Sequence, residues 1–163
     1  MTATPALNAE RERILFLARV VKREASYLAD TDSRLFALPM TPERASSLPT
    51  DAVLAERVDA FVARFARLQD TLADKLLPAL LRWLGERPGP FIDNLNAAER
   101  QGWVGNAAGW FELRRLRNQM IHEYVEDLTV LVDALNAAHA GVPQLSAAAL
   151  AMCAEVDRRV ATG

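Results

Sequence analysis

The sequence is poor in the residues that support cross-linking or catalysis. Its 163 residues include one cysteine and two histidines. The single cysteine, Cys153, excludes an internal disulfide and a cluster of thiolate metal ligands. It also favours a reducing, cytoplasmic location for the chain. Few side chains remain for acid–base or nucleophilic chemistry.

Long apolar runs and a strong charge imbalance are also missing. No uncharged stretch reaches the roughly 18 residues that a transmembrane helix needs, so we expect no membrane-spanning segment. The first residues lack the apolar core of a signal peptide. Lysine and arginine total 19, whereas aspartate and glutamate total 21, which gives a formal charge of −2. Because a chain this close to neutral has no global field that attracts nucleic acid, any such role requires a local basic cluster.

Strand-like alternation is scarce, and helical periodicity dominates. We predict an all-α fold, an up-and-down bundle of about four to five helices that forms a single domain over residues 1–163. The first helix is predicted over residues 6–29. The segment 31–50, which contains three prolines and several serines, is predicted to be a loop with a short helical turn after Thr41.

A long second helix is predicted to begin at Thr50 as its N-cap, with Asp51 in the first turn. Pro78 is predicted to kink this helix, and Gly85 to end it. Its apolar residues advance in steps of four and three, which is typical of a bundle core. This seam consists of Leu54, Val58, Phe61, Phe65, Leu68, Leu72 and Leu76.

Three further helices are predicted after residue 90. The short one covers residues 96–101, where Asn96 and Glu99 resemble a capping box. The last one is alanine-rich and covers about residues 143–160.

Between these two lies the helix with the most unusual sequence, which we predict from its cap Asn106 to about residue 140. Gly141 and Pro143 are predicted to end it. Its predicted buried positions are Leu113, Leu116, Met120, Tyr124, Leu128, Leu131 and Leu135.

This helix carries the local basic cluster that the net charge conceals. Between Glu112 and Glu123 the only charged or basic side chains are Arg114, Arg115, Arg117 and His122. Steps of four residues place Arg114, Asn118 and His122 on one face. Since polar groups on a mostly apolar arc are costly to bury without partners, this face indicates a groove, a subunit interface or a site.

An arginine and a histidine together can cleave an RNA phosphodiester without a metal. Arg117 can bind two phosphate oxygens through its guanidinium, Arg114 can assist it, and His122 can exchange protons near neutral pH. One histidine per chain is few for two proton transfers, and a two-fold dimer would supply a second Arg–His pair. The sequence HEYVE that starts at His122 lacks the second histidine of a zinc-binding helix. We therefore expect no metal and no cofactor.

The end of this helix resembles a known family. It fits the pattern R-x4-H-x-Y, from Arg117 to Tyr124, with Asn118 directly after the arginine. This pattern is similar to the motif of the HEPN superfamily, in particular the HepT-type toxins that are paired with an MNT nucleotidyltransferase antitoxin. Trp110 and a Gly-Glu pair at the end of the long helix also resemble the family's pattern. The resemblance covers roughly residues 10–136.

The resemblance implies an all-α homodimer in which the motif helices face each other. Active members of the family are metal-independent ribonucleases that use the motif arginine and histidine, here Arg117 and His122, and Asn118 matches a supporting residue. An RNA such as a tRNA or an mRNA would then be the substrate. In HepT-type pairs the antitoxin adenylylates the motif tyrosine, here Tyr124, and this silences the toxin.

Two other interpretations stay open. A related branch of the family consists of nucleotidyltransferase substrate-binding proteins, and residues 91–96 together with Trp103 and Trp110 are similar to that branch. In this case the chain would be a non-catalytic helical adaptor. In the third interpretation the chain is a helical interaction protein in which the motif is only structural, and Tyr124 is an interface aromatic.

Overall fold

The computed structural model describes residues 4–122 and 127–162, and this part of the chain contains only helices and connecting loops. In chain order they are α1 (Pro5–Leu35), α2 (Pro42–Ala45), α3 (Ala52–Asp70), a π-helical segment (Thr71–Leu76), α4 (Leu77–Trp83), α5 (Phe91–Arg100), α6 (Ala107–His122) and α7 (Leu128–Thr162). The predicted all-α bundle is confirmed. No helix of the described ranges is both long enough and apolar enough to cross a bilayer.

The core lies between the long helices. α1 packs against both α3 and α7, and α6 also packs against α3 and α7. The buried apolar side chains form one contiguous cluster. Every residue of the predicted seam is buried, from Leu54 at 5% exposure to Leu76 at 0%. The periodicity of the long helix therefore identified the centre of the bundle correctly.

A π-helical segment lies where Pro78 was predicted to kink the long helix. Pro78 lacks the N–H that an α-helix would donate to the carbonyl of Asp74. Residues Thr71–Leu76 widen into a π-helical turn, in which the Leu77 N–H donates to the Leu72 carbonyl. This wider turn accommodates the proline ring, so the chain continues directly into α4.

Several helix ends differ from the prediction. α1 continues to Leu35, so the first residues of the predicted loop are helical. The short turn after Thr41 is confirmed as α2. The N-cap of α3 is Asp51 rather than Thr50, because the Asp51 carboxylate accepts a hydrogen bond from the Leu54 N–H at 3.0 Å.

The predicted capping box of the short helix is wrong. α5 spans Phe91–Arg100, so Asn96 lies inside the helix rather than at its start. The Glu99 carboxylate instead accepts a hydrogen bond from the Ala107 N–H, at the start of the next helix, at 2.9 Å. Asn106 is confirmed as a cap, since its side-chain oxygen accepts a hydrogen bond from the Ala108 N–H at 2.8 Å. α5 and α6 are thus tied together at their junction.

The single helix predicted from Asn106 to about residue 140 is also wrong. α6 is described to His122, and a new helix begins at Leu128. Asp127 caps this helix, because its carboxylate accepts a hydrogen bond from the Thr129 N–H at 2.9 Å. Most of the predicted buried positions are confirmed, namely Leu113, Leu116, Met120, Leu131 and Leu135. Leu128 is 38% exposed, because it starts a new helix instead of continuing the old one.

Gly141 and Pro143 do not end a helix. α7 runs through both residues to Thr162, so the predicted last helix is the second half of α7. A Cβ atom at position 141 would lie 2.6 Å from the Leu113 side chain on α6. Gly141 therefore allows α6 and α7 to approach each other closely. The glycine is needed for this packing and not for the end of a helix.

Glu24 on α1 lies partly buried against the π-helical segment. Burial raises the pKa of its carboxyl group, because the charged form loses water. The nearby Thr71 hydroxyl and the side chains of Arg67 and Lys75 offset this rise only in part. One of its carboxylate oxygens is buried without a hydrogen-bond partner in the described part of the chain. The charged form of Glu24 therefore destabilises the bundle.

We expect the variant Glu24→Gln to raise the free energy of unfolding at pH 7. The folded state holds the Glu24 proton more tightly than the unfolded chain does. Protonated Glu24 therefore stabilises the fold below pH 4.5, the ordinary pKa of a glutamate, and this stabilisation is lost as the pH rises through the raised pKa of the folded state. The gain in Tm over wild type should be largest at pH 7 and should vanish near pH 4. Thermal unfolding at both pH values checks this. The exposed Glu12→Gln is the control, and a gain in Glu24→Gln that is equal at both pH values would contradict the assignment.

Candidate functional site

A polar notch lies where α6 faces the end of α3 and the π-helical segment. We call it the arginine notch; its volume is about 190 Å³, and it is lined by Asp70, Asp74, Arg114, Arg117 and Asn118. The two acids come from the long helix, whereas the arginines and the asparagine come from α6. The prediction that Arg114 and Asn118 share one face of the helix agrees with this geometry.

The position of these side chains follows from the way α6 packs. Its buried residues recur every three or four positions, and they are Ala107, Trp110, Leu113, Leu116 and Met120. Arg114 and Arg117 each follow a buried leucine by one residue, so both lie at the border of the buried face. There they reach the neighbouring helix while water still has access to them.

Two ion pairs cross the arginine notch. The Arg117 Nη2 donates to Asp70 Oδ2 at 2.9 Å, and its Nη1 donates to Asn118 Oδ1 at 3.0 Å. The Arg114 Nη2 donates to Asp74 Oδ1 at 2.8 Å. The side chains of Arg117 and Arg114 are 29% and 34% exposed. Pairs with this much access to water contribute little to stability, so their main effect is to hold the guanidinium groups in place.

The two arginines differ in the donors that they still offer. Arg117 uses both terminal nitrogens, and its Nε is buried without a partner among the described residues. Arg114 uses one terminal nitrogen for Asp74, and its guanidinium carbon lies 3.8 Å from the centroid of the Phe91 ring. Nε and Nη1 of Arg114 have no acceptor within residues 4–122 and 127–162. An oxyanion that enters the notch therefore finds more available donors on Arg114 than on Arg117.

Arg115 belongs to a different part of the surface. Its Nη2 donates to Glu112 Oε1 at 2.6 Å, and its Nη1 donates to Gln119 Oε1 at 3.1 Å. The hydrogen bond from Arg115 lowers the pKa of the Glu112 carboxyl, because it favours the charged form. Arg115 does not line the notch. Of the three arginines in the basic cluster, two are therefore available to the site.

His122 is the last described residue of α6, and it is exposed. It lies one turn beyond Asn118, about 6 Å further along the helix axis and on nearly the same face. Arg117 and His122 are five residues apart, so they leave the helix about 7.5 Å apart and in directions that differ by about 140°. The two side chains of one chain thus diverge. A single phosphate can therefore contact Arg117 and His122 more directly when the arginine comes from one copy of the chain and the histidine from another.

Tyr124, the candidate for adenylylation, lies outside the described residues. No three His, Cys, Asp or Glu side chains come together as a possible metal site in residues 4–122 and 127–162.

Asp70, Asp74 and Phe91 were not predicted from the sequence as parts of the site. For the two aspartates, the sequence signal that could have indicated this role was the spacing of the acidic and basic residues. Two acids four residues apart on one helix can pair with two arginines three residues apart on a neighbouring helix. Because that signal does not say which helices pack together, the pairing follows only from the fold.

Comparisons with known proteins add no family to this picture. No protein-family model matches the chain, and neither do the curated proteins or the solved structures that were compared with it. The motif and the geometry of α6 are therefore the features that bear on function.

Proposed function

We propose that this chain is a metal-independent endoribonuclease, a HEPN-type toxin that acts as a homodimer and is neutralised by an MNT-type nucleotidyltransferase antitoxin. One observation carries the proposal. α6 presents Arg114, Asn118 and His122 at intervals of one turn along one face, and Arg117 lines the notch together with Arg114 and Asn118. Cleavage of a phosphodiester needs a cation for the phosphoryl oxygens and an accessible group that transfers protons, and this face offers both.

In the proposed reaction His122 accepts the proton of a ribose 2′-hydroxyl. The 2′-oxygen then attacks the phosphorus, the bond from phosphorus to the 5′-oxygen breaks, and a 2′,3′-cyclic phosphate forms. The same His122, now protonated, then gives this proton to the leaving 5′-oxygen, so each site uses one histidine. Arg117 of the second copy stabilises the charge that develops on the non-bridging oxygens.

The acids of the notch determine how a phosphate can enter. At Arg117 it competes with Asp70 and Asn118 for the guanidinium, whereas at Arg114 it can use the donors that Asp74 leaves available. Because both ion pairs are partly exposed, separating them costs little. Entry at Arg114 followed by transfer to Arg117 is therefore the simplest path.

The proposed neutralisation acts on Tyr124, which follows His122 by two residues. Transfer of AMP from ATP to the Tyr124 hydroxyl, with release of pyrophosphate, adds a negative phosphodiester and a bulky base two residues along the chain from His122. Both would repel or block an RNA phosphate. Incubation with the nucleotidyltransferase and ATP should add mass in multiples of AMP, and Tyr124→Phe should prevent the gain.

We expect His122→Ala to lower the rate of RNA cleavage by about a hundredfold to ten-thousandfold, because it removes the group that transfers protons. The variant should also abolish growth arrest on expression. The measurement is RNA cleavage by the purified chain in the presence of a metal chelator. His139→Gln is the matched control, since His139 lies on α7 and contacts Asp32 rather than the notch. If wild type and His122→Ala are equally harmless and neither cuts RNA, the ribonuclease proposal fails.

A non-catalytic adaptor for a nucleotidyltransferase is the second candidate. The observation that favours it is the pairing of both notch arginines with carboxylates, which leaves the site without net charge. For an adaptor, His122→Ala should not change any activity. The chain should still form a stable complex with the nucleotidyltransferase, and complex formation without RNA cleavage separates this candidate from the toxin.

A further inference from the structure

The exposed line of side chains on α6 extends beyond the arginine notch. Phe111, Arg114, Asn118 and His122 follow one another in steps of three and four, so they lie along one face of the helix. We call this line the α6 stripe. From Phe111 to His122 it is about 16 Å long. An exposed aromatic thus lies at one end and an exposed imidazole at the other.

Phe111 is held in place although much of its surface is open. Phe91 on α5 packs against it edge to face, with ring centroids 5.5 Å apart and an interplanar angle of 88°. The guanidinium of Arg114 covers one face of Phe91 at 3.8 Å. Phe111 itself is 40% exposed. This arrangement places an open aromatic surface beside a cation that has unused donors.

An aromatic ring next to an arginine is the combination that binds single strands of nucleic acid. Every base has a π-face that can stack on the ring, while the cation binds the backbone phosphate. In a duplex the base faces are already stacked on each other, so Phe111 can stack only on an unpaired base. The net charge of −2 also gives the chain no general attraction for duplexes.

We infer that the α6 stripe binds single-stranded RNA, with one base stacked on Phe111 and an adjacent phosphate on Arg114. The part of this inference that names RNA rests on the proposed function, in which the scissile phosphate lies at His122. The stripe is several times longer than the roughly 3.4 Å rise between stacked nucleotides, so the stacked base and the scissile phosphate belong to different nucleotides. Stacking tolerates any base, so the substrate is selected as an unpaired segment and not by its sequence.

Binding of a fluorescent 2′-O-methyl oligoadenylate to the full chain tests the inference, since this probe lacks the attacking hydroxyl. We expect Phe111→Ala to weaken binding about 5-fold to 150-fold, the range that the loss of one stacked base gives. Phe111→Tyr keeps a ring and should retain the affinity, which separates stacking from a general effect on folding. The matched control is Phe16→Ala, since Phe16 is an exposed phenylalanine on α1, with 50% of its surface open.

Equal affinities of Phe111→Ala and Phe16→Ala would overturn the inference, as would a duplex of the same length that binds as tightly as the single strand. If Phe111→Ala alters the oligomeric state in sedimentation and leaves the affinity unchanged, the aromatic belongs to a protein interface and the inference fails. Cleavage that depends on His122 but not on Phe111 would preserve the proposed function and reject the stacking site. Binding that depends on Phe111, without RNA cleavage by wild type, would preserve the stacking site and reject the proposed ribonuclease function.

Discussion

Inactive Arg117→Ala and inactive His122→Ala chains should recover RNA cleavage when they are mixed. The reason is the geometry of α6, on which the two side chains leave the helix in directions about 140° apart. If each site takes its arginine from one copy and its histidine from the other, a mixed dimer contains one site with both native residues. Its second site contains neither. Either variant alone forms only dimers in which both sites lack one residue.

The expected recovery has a defined size and a defined dependence on the ratio of the chains. At equal amounts about half of the dimers are mixed and each has one intact site of two, so the activity should reach about a quarter of that of wild type. RNA cleavage measured across a series of ratios should be highest at equal amounts. A mixture of Arg117→Ala with the doubly substituted chain is the control, since it can form no intact site. Absence of recovery at every ratio would show that each chain uses its own arginine and histidine.

The seam of the long helix could be predicted because its signal is both long and local. Seven apolar positions in steps of four and three define one face, and a helix must bury such a face. The ends of helices were harder to predict. Gly141 and Pro143 read as stops in isolation, but Val142 and Leu145 around them are buried. The burial of these side chains outweighs a local stop signal, and it depends on the neighbouring helices.

The candidate site was predictable to the extent that one helix determines it. Helical geometry alone places Arg114 and Asn118 on one face, and the structure has them in one notch. The acids that pair with Arg114 and Arg117, Asp74 and Asp70, lie 40 and 47 residues away in the sequence. Which carboxylate meets which guanidinium depends on the register between two packed helices, and no local pattern encodes that register. The position of Phe91 under the Arg114 guanidinium could not be predicted for the same reason.

Gly141→Leu should lower the free energy of unfolding by about 2–3 kcal/mol, which corresponds to a fall in Tm of roughly 4–12 °C for a chain of this size. A Cβ at this position would lie 2.6 Å from the Leu113 side chain, which is itself buried at 2% exposure. The contact lies where α6 packs against α7, so the added side chain must displace the buried Leu113 side chain or separate the two helices. Since α6 carries the arginine notch, this variant should also lower RNA cleavage.

Thermal unfolding of three variants separates this clash from the general effect of a leucine. Ala140→Leu places the same side chain at the neighbouring, exposed position of α7 and should leave Tm nearly unchanged. Combining Gly141→Leu with Leu113→Ala transfers volume from α6 to α7, so the double variant should be less destabilised than the sum of the two single effects, by about 1 kcal/mol or more. If the two effects simply add, Leu113 is not the group that the new side chain meets. In that case α6 and α7 do not owe their close approach to the glycine.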